Sequence, residues 1–95
     1  MRIIAKRVLM ELAAAHGDCA VQVSRWYKIA SKSTWGNLAE VHATFPDADA
    51  VGNRTVFNMK GNHYRLIVGI NYETGVIFIK HLLTHAEYDK GTWKE

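Results

Sequence analysis

Residues 84–90, Thr-His-Ala-Glu-Tyr-Asp-Lys, follow directly on the apolar run 75–83. An imidazole, a phenol, two carboxylates and an ammonium are therefore packed just beyond a strand-like end. Histidine titrates near neutrality and can act as acid or base. A second set of polar residues, Asn58, Lys60, His63 and Arg65, lies around Gly61-Asn62, a turn signal between two apolar runs. Arginine's planar fork suits non-bridging phosphate oxygens, and tyrosine can stack on a base or orient a proton path.

Together these types suit one reaction, cleavage of RNA by its own 2′-hydroxyl. It needs a base for that hydroxyl, an acid for the departing 5′-oxygen and cations for the charge that develops on phosphate. No metal is needed. The five histidines lack a compact ligand spacing and Cys19 is the one cysteine, so neither a metal site nor a disulfide is expected.

The elements must bring the two sets together. Before Pro46 apolar residues recur at helical spacing, and after it they fall into short strand-like runs. Residues 1–4 are a strand candidate. Ala5, Val8, Leu9, Leu12 and Ala13 give a first helix face, and Val23, Trp26, Tyr27 and Ala30 a second. Asn37, with Glu40 three residues on, has capping-box spacing and opens a third helix that Pro46 stops. Strands are expected at 55–60, 63–72 and 76–83, and Thr84-x-x-Glu87 starts a C-terminal helix. The order is β-α-α-α-β-β-β-α, an α+β domain over residues 1–95 with helices packed on one face of a small, mainly antiparallel sheet.

Register decides what meets. A two-residue turn at 61–62 sets Asn58 opposite Arg65 and Lys60 opposite His63, with Phe57, Met59, Tyr64, Leu66, Val68 and Ile70 on the other, helix-covered face. An even loop before the last strand sets Lys80, Leu82 and Thr84 on Arg65's face, with Thr84 across from Arg65. An odd loop would bury Lys80. The even register is expected, with His81 a structural histidine on the core side. Trp26, Tyr27 and Trp35 are expected to pack in the core; Trp93 has no predicted place.

Residues 56–68, VFNMKGNHYRLIV, with THAEYDK at 84–90, resemble the HigB-type toxins of bacterial toxin–antitoxin pairs, within the RelE superfamily of mRNA interferases. The likeness extends over nearly the whole chain. It implies a RelE-like fold, cofactor-free and metal-independent endoribonuclease activity on mRNA held by translating ribosomes, and a HigA-type helix-turn-helix antitoxin. Carried over by motif position, Arg65 stabilises the scissile phosphate, His85 is the acid–base residue and Tyr88 orients or stacks. Lys60, His63, Asn58 and Lys80 would contact RNA. Relatives of this fold also include gyrase inhibitors and could serve as antitoxin-docking subunits, so a non-catalytic binding module is the competing expectation.

Net charge is +3 with a pI near 9.2, a mild bias toward polyanions or an acidic partner. Lys6, Arg7 and Glu11 interrupt the apolar residues of the N-terminal stretch, which fits neither a signal peptide nor a membrane span. A cytoplasmic protein is expected.

Overall fold

The computed structural model describes residues 1–61 and 63–94, so Asn62 of the expected Gly61-Asn62 turn lies outside the described residues. Strand β1 (Arg2–Ile4) leads into helices α1 (Lys6–Ala15), α2 (Ala20–Lys32) and α3 (Leu38–Thr44). Strands β2 (Asp49–Val51), β3 (Arg54–Met59), β4 (Tyr64–Asn71) and β5 (Val76–Thr84) follow, then α4 (His85–Lys90) and a 3-10 turn at Thr92–Lys94. The expected order is matched with one addition: β2, only three residues long, is too short to carry a pattern.

The sheet runs β1-β5-β4-β3-β2, with β1 parallel to β5 and the remaining pairs antiparallel. Its first face carries Phe57, Met59, Leu66, Val68, Ile77 and Leu82 against Leu9 and Ala13 of α1 and Val23, Trp26 and Ala30 of α2. Helical periodicity before Pro46 and strand alternation after it thus supply the two halves of one core. Trp26 and Trp35 are buried in it, as expected, with Phe45 and Phe57 in edge-on or stacked contact around them. Asn37 caps α3 by accepting from the Glu40 backbone N–H at 3.0 Å.

The second face is not left open. Val56 and Ile67 form a smaller apolar cluster there with Trp93, bordered by Val51, Leu83 and Tyr88. The expectation of helices on one face therefore holds for α1 and α2, whereas α4 and the turn after it cover the other. Gly91 makes this possible: its φ of 74° reverses the chain after α4 without the strain a side chain would meet. The reversal brings Trp93 back under Tyr88, ring centres 5.0 Å apart and nearly parallel, while the Trp93 indole N–H donates to the Tyr88 carbonyl at 2.9 Å.

Register along β5 combines both alternatives weighed from sequence. The β4–β5 loop is even, and from Asn71↔Val76 to Val68↔Ile79 the side chains face as expected, though the partners lie two residues away from those that Thr84 opposite Arg65 would require. A bulge then shifts the pairing by one, so that Ile67 pairs with His81, Leu66 with Leu82, Arg65 with Leu83 and Tyr64 with Thr84. The bulge keeps Lys80 exposed and still buries Leu82 opposite Leu66, which a regular strand could not do because every side chain alternates. Three expectations are corrected: Leu83, not Thr84, faces Arg65; Leu82 lies in the core; and His81 stands on Arg65's face.

Trp93→Ala should lower unfolding stability by about 3 kcal/mol, as expected for removal of a packed aromatic ring, and Trp93→Phe by clearly less; urea unfolding checks both. The capping box of α4 carries a pH signature. The Thr84 backbone N–H bonds to the Glu87 carboxylate at 3.0 Å and holds its pKa below the ordinary range. A depressed folded pKa means the contribution is present above the unfolded value and is lost as pH falls through the folded one. The stability difference between wild type and Glu87→Ala should therefore be constant near neutrality and shrink below about pH 4.

Candidate active site

Arg65 sits in the first half of β4, directly opposite Asn58 of β3, as the hairpin pairing predicts. Both side chains line a hollow of about 330 Å³ together with Asp47, Ala48, Asp49, Val56 and Tyr88. The Arg65 guanidinium carbon lies 5.3 Å from the centre of the Tyr88 ring, and its Nη1 donates to the Tyr64 carbonyl at 3.4 Å. The phenol is thus held between two partners, a cation and the stacked Trp93 indole. A cation over a ring is attracted by the ring's quadrupole, so the contact orients both groups.

His85 opens α4. Its backbone N–H donates to the His63 carbonyl at 3.0 Å, which fastens the helix start to the tip of the β3–β4 hairpin. Its Nδ1 stands 2.9 Å from Asp89 Oδ2, one helical turn on, and both side chains remain about half exposed. A carboxylate on Nδ1 fixes the tautomer and leaves Nε2 directed away from Asp89, able to take or give a proton. Residues three apart on a helix are neighbours, so His85 is adjacent to Tyr88. The Arg65–Tyr88 contact and the His85–Asp89 pair thus both involve α4, while His85 is not among the residues that line the Arg65 hollow.

Other sequence candidates fall elsewhere. His63 is exposed at the hairpin tip, where its backbone N–H bonds to the Lys60 carbonyl at 3.3 Å. Lys60, expected beside Arg65, instead reaches to the helical side: its Nζ donates to Asp18 Oδ2 at 3.1 Å. Tyr64 donates to the other oxygen of Asp18 at 2.6 Å. These two bonds lower the pKa of Asp18, and the aspartate in turn raises that of Tyr64 to about 12. Asp18 therefore works as an anchor between the 3-10 turn before α2 and the hairpin, a link across 46 residues of sequence. Lys80 is displaced along the sheet by the bulge and lies 5.6 Å from the Phe78 ring.

Several residues at or near the site were not anticipated. Asp47 and Asp49 enter the hollow from the segment after Pro46, which reads from sequence only as a loop. Arg54 carried a usable signal, since strand alternation through Val56 and Asn58 places it on Arg65's face. Among the described residues no three His, Cys, Asp or Glu side chains are grouped to hold a metal ion, and no helix is long and apolar enough to cross a membrane.

Comparison with known proteins identifies the family. The family model described as the HigB toxin, a RelE-like toxic component of a toxin–antitoxin system, matches residues 19–91. An mRNA interferase HigB of Escherichia coli O6:H1 is 32% identical over 97% of this chain and 92% of its own length. The mRNA interferase toxin HigB of Escherichia coli K12 is 24% identical over 94% of this chain and 88% of its own, and an mRNA interferase HigB of Shigella flexneri aligns with the same figures. With most of its length accounted for by that family, the chain belongs to the HigB toxins, the RelE-like toxic components of toxin–antitoxin systems.

Proposed function

We propose that this protein is a metal-independent endoribonuclease that cuts mRNA on translating ribosomes and is held inactive by a HigA-type helix-turn-helix antitoxin in the cytoplasm. Two observations support the chemistry, the Arg65–Tyr88 contact and the His85–Asp89 pair, both of which involve α4. Arg65 lies 5.3 Å from the Tyr88 ring, and His85 is bonded to Asp89 at 2.9 Å. The names of the relatives, mRNA interferases, support the substrate class.

In this reading the substrate's 2′-hydroxyl attacks the adjacent phosphorus while the bond to the 5′-oxygen breaks. The products are a 2′,3′-cyclic phosphate and a free 5′-hydroxyl. The proton leaving the 2′-oxygen and the one received by the 5′-oxygen balance, so no oxidant or second substrate is required. Arg65 meets the negative charge that grows on the non-bridging oxygens, and such preorganised donors act most strongly where charge develops. His85, oriented by Asp89, transfers a proton through Nε2. Tyr88 holds the guanidinium in place and offers its hydroxyl end to the substrate. Asn58, beside Arg65 in the hollow, adds a neutral hydrogen-bonding group, and His63 and Lys80 extend the polar contact with RNA.

Purified protein added to a translation reaction should produce new internal 5′ ends in mRNA, each bearing a hydroxyl. His85→Ala and Arg65→Ala should each slow cleavage by roughly a hundredfold or more with unfolding midpoints near wild type, and Asp89→Asn by less than His85→Ala. Cleavage at the wild-type rate in both alanine variants contradicts the assignment. A DNA-damage response with intact transcripts would instead mark a non-catalytic toxin.

A further inference from the structure

Gly69, in the middle of β4, is buried although it has no side chain and lies on the same sheet face as Arg65. Two cations roof it. The point where a side chain on Gly69 would begin lies 3.4 Å from Arg54 Nη1 and 3.7 Å from Lys80 Cε. Arg54 comes from β3 and Lys80 from the bulge of β5, so both neighbouring strands reach across the glycine toward one spot. Like charges repel, yet among the described residues neither enters an ion pair. Beside them Phe78, paired with Gly69, is 39% exposed, with the Lys80 amine 5.6 Å from its ring centre.

We infer that Arg54, Lys80 and Phe78 form a second RNA-binding subsite, in which the two cations grip a backbone phosphate and the exposed ring stacks on a base. The inference rests on the endoribonuclease reading above. Three features favour a nucleic-acid strand. The Arg54 guanidinium and the end of the Lys80 stem lie over one point, close enough for both cations to reach a single phosphate. An exposed aromatic ring beside cations is the combination that holds single strands without sequence preference. The patch also shares its face with Arg65, four residues along β4, or about 13 Å of strand. A strand bound at Arg65 can therefore extend a few nucleotides to reach it. The Trp93 ring packs on this same face against Val56 and Ile67, with Lys94 Nζ 5.6 Å from its centre, so positive charge continues along the path.

The bulge gains a functional meaning from this. Without it Leu82 would leave the core or Lys80 would enter it; with it, Lys80 is delivered over Gly69. A glycine there leaves room for both long side chains; a methyl would meet them in ordinary contact, whereas a larger side chain would compete for their place.

The test uses a fluorescein-labelled 2′-O-methyl RNA oligonucleotide, which lacks the attacking hydroxyl and stays intact. Its binding is followed by anisotropy across a salt series for wild type, Arg54→Ala/Lys80→Ala and Phe78→Ala, each checked for an unchanged unfolding midpoint. The double variant should bind about tenfold more weakly at low salt, with the log–log salt slope shallower by about 0.7 because one phosphate is no longer neutralised. Phe78→Ala should weaken binding by about tenfold with the slope kept, since stacking carries no counterion release. Unchanged affinity and slope in the double variant, while wild type cleaves mRNA, overturns the subsite and leaves the nuclease reading standing. Weakened RNA binding in the variants, with no cleavage by wild type, supports the subsite and refutes the nuclease reading alone. Variants that weaken only the affinity for an acidic antitoxin segment also overturn the subsite.

Discussion

The stack of Tyr88 on Trp93 is the constraint on which the rest of the site depends. Helix α4 has six residues and buries none of them, and so short a helix has little stability of its own. It is held at its start by the Thr84–Glu87 capping box and the His85–His63 backbone bond, and at its end by Trp93, which is returned by Gly91 onto Val56 and Ile67. These attachments lie on either side of His85 and Tyr88. Loosening the aromatic end would remove the ring on which Tyr88 stacks and leave α4 held only at its start. A small apolar cluster on the second face therefore does for the site what the large helical core does for the fold.

Charge on that face is arranged around the same cluster. Toward the hairpin tip stand Arg65 and Asn58, with Asp47 and Asp49 close by in the hollow. Away from the tip stand Arg54 and Lys80 over Gly69. The remaining lysine of the hairpin, Lys60, is drawn to Asp18 on the opposite side, where it secures the tip to the helices. Basic residues that look alike along the sequence thus divide into anchoring and surface roles according to which carboxylate lies within reach. The mild net charge of +3 conceals this separation.

How far the sequence discloses this can be judged from individual residues. The opposition of Asn58 and Arg65 follows from strand alternation across a short turn, and it is present. The core face of β3 and β4 follows likewise, because burial of Phe57, Leu66 and Val68 punishes any slip. The bulge between Ile67 and Val68 escapes such reasoning: alternation is a local rule, and only the competing needs of Lys80 and Leu82 against the whole sheet select a shift. Trp93 escapes it for another reason, since one aromatic after a glycine has no period and its place is set by a surface assembled from β3 and β4. Lys60 and Tyr64 meet Asp18 from more than forty residues away, a distance at which residue types indicate compatibility but not partnership. Chemical types and their local neighbours are legible in the chain; the long-range pairings are decided by packing.

The central claim is that a strand arginine and a helix histidine serve one phosphate. Nuclear magnetic resonance tests it directly, by following the Arg65 side-chain Nε and the His85 ring nitrogens while a 2′-O-methyl RNA oligonucleotide is titrated in. The account predicts that both sets of resonances move along one saturable curve with the same half-point. Movement of the Arg65 signal while the His85 ring stays unperturbed through saturation would contradict it.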